Sequence, residues 1–101
     1  MELIFTAKLW QWQGKGAWYF TTVPIEQSEI LRELAPLIEK GWGSIPVAVT
    51  IETSSWNTSV FFDSKRNCYL LPIKAEIRKQ ERLSEESLVK IKLNVGHSSL
   101  D

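Results

Sequence analysis

Cysteine and histidine occur once each in this 101-residue chain, as Cys68 and His97. A single cysteine excludes an intrachain disulfide and fits a reducing compartment. One cysteine and one histidine also exclude a structural zinc site, which takes four such ligands. Long hydrophobic runs are absent, so no segment approaches the roughly 20 apolar residues of a membrane-spanning helix. The start, Met1-Glu2-Leu3-Ile4-Phe5-Thr6-Ala7-Lys8, has no basic stretch followed by a long apolar one. No secretory signal is therefore expected, and the expected compartment is the cytoplasm. Asn57-Thr58-Ser59 matches a glycosylation sequon, which without secretion is a chance match. Net charge is missing too. Twelve basic groups balance twelve acidic ones, which argues against nonspecific nucleic-acid binding through a basic face.

What is present is apolar and aromatic. Hydrophobic residues make up 44% of the chain, and it carries five tryptophans, two tyrosines and four phenylalanines. A chain this short builds one core, and large aromatic side chains help it to do so. Charge is uneven along the chain. Residues 65–92 hold eight basic groups against four acidic ones, whereas residues 1–64 hold four against seven.

Alternation with a period of two is the dominant pattern. Leu3, Phe5, Ala7 and Leu9 alternate with Ile4, Thr6, Lys8 and Trp10. Gln13-Gly14-Lys15-Gly16 reads as a turn, and Trp18–Val23 as the returning strand of a hairpin. Glu26–Lys40 is the one substantial helix, with Ile30, Leu31, Leu34, Leu37 and Ile38 on one face and Gly41 just past its end. Pro36 predicts a kink or break near Ala35. Ile45, Val47, Val49 and Ile51 define a strand, with Pro46 near its start. After a turn at Glu52-Thr53-Ser54-Ser55, strands are expected over Trp56–Phe62 and Cys68–Ile73, separated by a turn at 63–67. Lys74–Arg82 reads as a short, partly buried helix. Val89, Ile91, Leu93 and Val95 alternate in a last strand, Leu88–Val95. Residues 96–101 read as a flexible tail. Six short strands in one small domain predict an all-β fold over residues 1–101: a small six-stranded closed or pseudo-closed β-barrel with one substantial and one short helix.

Four local patterns then line up. They are Trp12-Gln13-Gly14-Lys15-Gly16-Ala17-Trp18-Tyr19-Phe20, Gly41-Trp42-Gly43-Ser44-Ile45-Pro46-Val47, Trp56-Asn57-Thr58-Ser59-Val60-Phe61-Phe62, and Tyr69-Leu70-Leu71-Pro72-Ile73-Lys74-Ala75-Glu76-Ile77-Arg78-Lys79. In that order they resemble the small bacterial family catalogued as domain of unknown function 1905, from about Phe5 to Val95. The resemblance implies a compact barrel carrying a helix and implies no particular activity. The family tends to place a Gly-Asp pair before its last strand, where this chain has Glu86-Ser87. Glycine permits positive φ, so this departure bears on the shape of that one turn and not on the barrel.

Catalytic constellations are hard to find. Gly14-Lys15-Gly16 lacks the spacing and trailing hydroxyl of a phosphate-binding loop, and Gly41-Trp42-Gly43 precedes a strand rather than a helix. His97 lies in the expected tail. Cys68 has no base near it in sequence and reads as a buried, inert thiol. Glu26, Glu29, Glu33 and Glu39 suit a solvated helix face. One mixed set stands out. Lys74 and Arg78 fall four apart on the expected short helix and point the same way, while Lys79 points elsewhere. Thr58 and Ser59 add hydroxyls, and Trp42 and Trp56 add flat apolar walls. Together these six residues suit an anionic or planar ligand. The plainer reading makes Lys74 and Arg78 solvated cations paired with Glu81 or Glu85. Trp10 and Trp12 share the outward parity of the first strand. They mark either a partner surface or a second small cluster packed under the helix.

The sequence thus favours a noncatalytic binding or interaction module for a small ligand or a partner protein, without cofactor, metal or membrane. The alternative is a single-stranded nucleic-acid-binding barrel whose aromatics stack bases. An enzyme of unknown type ranks third, because no nucleophile–base or metal set is visible.

Overall fold

The computed structural model describes residues 1–38 and 43–96. Its strands are β1 (Glu2–Gln11), β2 (Tyr19–Thr22), β3 (Ser44–Ile51), β4 (Ser54–Asp63), β5 (Cys68–Pro72) and β6 (Leu88–Val95). Its helices are α1 (Ile25–Ile38) and α2 (Ala75–Gln80). The strands close into a barrel in the order β1-β2-β5-β4-β3-β6, and β6 returns to β1. Every pairing is antiparallel.

The alternating side chains drive this closure. Leu3, Phe5 and Leu9 of β1, Ile45, Val47, Val49 and Ile51 of β3, and Val89, Ile91, Leu93 and Val95 of β6 are all buried. The register sets Leu3 opposite Leu93 and Phe5 opposite Ile91, and sets Val49 opposite Leu93 from the other side. A slip of one residue would turn each of these rows into solvent, so the pattern fixes the register as well as the fold. Pro46 sits in β3 ahead of Val47, where pairing with β6 begins. Its missing N–H therefore costs no ladder bond.

Two helices plug the ends. α1 touches β5 and β3, which β4 separates in the barrel order, and sends Leu31 and Ala35 into the core. Buried Ser28 clamps it: its hydroxyl donates to the Val23 carbonyl at 2.9 Å and accepts from the Tyr69 N–H at 3.0 Å. At the opposite end α2 buries Ile77 in the same core. Glu81, just after α2, accepts hydrogen bonds from Thr53 and Ser54 at 3.1 and 2.5 Å, which ties α2 to the β3–β4 turn. Among the described residues no helix is long and apolar enough to cross a membrane.

Several details differ from expectation. α1 continues through Pro36 to Ile38 without a break. Pro36 lies in the final turns of the described helix, so it disturbs only one bond to the preceding turn. The buried face runs through Ser28, Leu31 and Ala35, with Leu34 and Ile38 partly buried; Ile30 and Leu37 lie outside it, Leu37 at 82% exposure. The stripe takes in a polar residue, Ser28, which apolar spacing does not include. The β3–β4 turn is only Glu52-Thr53, because Ser54 already pairs with Ile51 as part of β4. α2 is shorter than the expected helix. The expectations for Glu39, Lys40, Gly41, Trp42, His97 and the tail beyond Gly96 lie outside the described residues.

The turn before β6 answers the question raised by Glu86-Ser87. Glu86 adopts φ of 80°, the left-handed conformation that glycine would take. Its N–H donates to the Leu9 carbonyl at 2.8 Å, and the Leu9 N–H donates to the Ser87 carbonyl at 2.9 Å. Glu86 thus takes a positive φ although it is not a glycine.

Candidate functional site

The barrel wall has a seam, and backbone hydrogen bonds show why. The Val23 N–H donates to the Tyr69 carbonyl and the Ile73 N–H to the Tyr19 carbonyl, each at 2.9 Å. Odd-numbered residues of β5 therefore face β2, and even-numbered ones face β4. The Phe62 N–H donates to the Gly43 carbonyl, so even residues of β4 face the β3 side and odd ones face β5. β4 and β5 pair only from Phe61↔Leu70 to Asp63↔Cys68. The next hydrogen-bonded pair would join Ser59 to Pro72. Pro72 has no N–H, so the Ser59 carbonyl meets no donor there and the ladder stops. Beyond it, the N–H and C=O of Asn57 point into the gap, without a backbone partner among the described residues.

The gap is a cleft of about 390 Å³ lined by Ala17, Trp18 and Tyr19, by Trp56, Asn57 and Thr58, and by Pro72, Ile73, Lys74, Ala75 and Arg78. Of the six residues singled out from sequence, Trp56, Thr58, Lys74 and Arg78 come together here. Ser59 lies one step along β4 and does not line the cleft, and Trp42 is outside the described residues. Trp56 is half-buried against the barrel core, so its ring forms a fixed wall.

The two cations are held differently. Lys74 immediately precedes α2, with extended backbone, and its Nζ lies 3.5 Å from Glu76 with both side chains more than half exposed. Such a pair contributes little and yields readily to a competing anion. Arg78 is half-buried. Its Nε donates to the Ile73 carbonyl at 3.1 Å, and its guanidinium lies 3.9 Å from the centre of the Tyr19 ring. These contacts fix the plane of the group and leave its terminal N–H groups without a carboxylate among the described residues. Of the alternative partners Glu81 and Glu85, neither forms an ion pair with Arg78 among the described residues, and Glu81 accepts from Thr53 and Ser54.

Sequence reasoning missed Tyr19 and Trp18. Tyr19 carries Arg78, and Trp18 joins the cleft to a second aromatic group. That group, on the outer face of β1 and β2, comprises Trp10, Trp12, Trp18 and Phe20. Trp18 stacks on Phe20 at 6.3 Å with nearly parallel rings, and Trp10 lies 5.4 Å from Phe20. The Trp10 Nε1–H donates to the Thr22 hydroxyl at 2.9 Å, and Arg66 caps the Trp10 ring at 4.4 Å. The pair Trp10 and Trp12 therefore belongs to a cluster on the barrel wall, built with Phe20 rather than under α1. Trp12 and Trp18 remain 41% and 56% exposed. Gly14 fits closely beneath the Trp12 indole, where any Cβ would collide with its Nε1.

Elsewhere the chemistry is plain. Cys68 is buried. A hydrogen bond from Arg66 holds the Asp63 carboxyl below its ordinary pKa, against a smaller opposing effect of burial. Among the described residues no three His, Cys, Asp or Glu side chains gather as a metal-binding group.

These features define a small closed β-barrel with a cleft where one seam fails to zip. The chain belongs to the family described as domain of unknown function (DUF1905), whose model matches residues 5–93. No curated protein matches the chain.

Proposed function

We propose that the protein is a noncatalytic binding module whose seam cleft takes an anionic ligand with a flat or extended body. One observation carries this reading. Arg78 is fixed over Tyr19 by its bond to Ile73, with its remaining donors unpaired beside Lys74, Trp56 and Thr58. A guanidinium held in one plane is suited to carboxylate or phosphate recognition, because little side-chain freedom remains to be lost on binding. The cleft volume falls within the range of small-ligand sites, and its mixture of aromatic walls and few polar groups matches their composition.

A thermal-shift screen tests the proposal, with inorganic phosphate, nucleotides, succinate and neutral sugars as probes. A ligand present at 100 times its Kd stabilises the folded state by about 2.7 kcal/mol, which amounts to roughly 10 °C or more for a domain of this size. One anionic class is expected to raise Tm, and the Lys74→Ala, Arg78→Ala double variant to abolish the rise. Stabilisation that survives in the double variant overturns the site. Short oligonucleotides whose affinity falls steeply with salt would replace this reading by the nucleic-acid one.

A further inference from the structure

We infer that the occupant of the seam is an extended peptide segment with acidic side chains, which pairs with β4 as an added strand; this rests on the reading proposed above. Three observations converge on it. First, the β4 edge is intact as a strand but unpaired on its β5 side. Asn57 directs both its N–H and its C=O into the cleft, and the Ser59 carbonyl faces the donorless Pro72. A small anion satisfies donors, whereas only a partner with alternating donors and acceptors satisfies a strand edge. Second, the missing partner is a matter of length rather than of fold. β3 pairs with β4 along all of Ser44–Ile51, while β5 covers only Phe61–Asp63. The β4 residues left without a β5 partner run from Ser54 to Val60, long enough to take a short strand. Third, the charge is one-sided. Lys74 and Arg78 line the cleft, and among the described residues the one carboxylate paired there is the exposed Glu76. A strand residue opposite Asn57 would exchange two backbone bonds with it, and an acidic neighbour would meet the guanidinium. Trp18, on the outer face with Phe20, would flank the peptide's apolar side chains, and Trp56, one step from Asn57 along β4, would flank the acidic ones.

The test uses the full 15N-labelled chain and a pool of end-blocked pentapeptides in which Glu alternates with Val, Thr, Tyr or Phe. The pool is expected to slow hydrogen exchange at the Asn57 amide at least tenfold. Arg78→Ala is expected to weaken binding at least tenfold. N-methylating the peptide nitrogens that face β4 is expected to abolish binding, because the side chains are retained while the ladder is lost. Pro72→Val is a second variant. It returns a donor to the Ser59 carbonyl, extends the β4–β5 ladder, and is expected to reduce peptide affinity while the chain stays folded. If N-methylated peptides bind as well as their parents, strand pairing is refuted. If phosphate or succinate binds but no peptide protects Asn57, the peptide inference fails and the anion-binding function stands. If neither anions nor peptides bind, both fail together.

Discussion

Replacing Glu86 isolates the strain in the turn that leads into β6. Glu86 holds φ of 80°, where a Cβ crowds the backbone, at a cost of about 1–2 kcal/mol for an ordinary residue. Glycine removes that cost but gives the unfolded chain more freedom, which returns up to about 1 kcal/mol. The Glu86 side chain also reaches Lys8 at 3.2 Å, with both groups more than half exposed, and such a pair is worth at most about 1 kcal/mol. The clean comparison is therefore Glu86→Gly against Glu86→Ala, since both lose the ion pair and only alanine keeps the strain. The glycine variant is expected to be more stable by about 1 kcal/mol, or roughly 4–8 °C in Tm for a domain of this size. Urea denaturation followed by circular dichroism provides the free energy, and an unchanged m-value shows that the difference lies in stability alone. An alanine variant as stable as the glycine one would refute the argument that the turn is strained.

Two further outcomes follow from single groups. The Thr21 hydroxyl is buried without a hydrogen-bond partner in the row Leu9–Thr21–Leu71, so Thr21→Val is expected to raise stability by about 1 kcal/mol in the same urea assay. The Asp63 carboxyl is held below its ordinary pKa of 3.8 by Arg66; it contributes its stabilisation above that pH and loses it as pH falls through the lower folded value. Asp63→Asn should accordingly flatten the loss of stability in acid below pH 3.8, as measured by Tm against pH.

Much of this architecture is legible because the interior is read one strand at a time. Leu88–Val95 and Ile45–Ile51 alternate without interruption, and the structure places their apolar phase inside. The helix face was less legible because it includes Ser28, a polar residue buried by two hydrogen bonds that only the folded chain supplies. Leu37 satisfies the helical spacing yet lies in solvent, since spacing alone does not say where the neighbouring sheet ends. At the candidate site, Lys74, Arg78, Trp56 and Thr58 were visible as residue types. What joins them was not. Tyr19 reaches Arg78 through the pairing of β2 with β5, a contact between segments more than fifty residues apart. The seam itself depends on the side of β5 to which the nitrogen of Pro72 points, which follows from register and not from composition.

Amide hydrogen exchange on the ligand-free chain tests most directly whether the barrel wall is open at Pro72. Trp56 and Thr58 direct their N–H groups towards β3, whereas Ser55 and Asn57 direct theirs into the gap. The amides should therefore alternate along β4, with Trp56 and Thr58 exchanging about 100-fold more slowly than Ser55 and Asn57. Equal protection of all four would mean that the seam is closed, and the cleft with it.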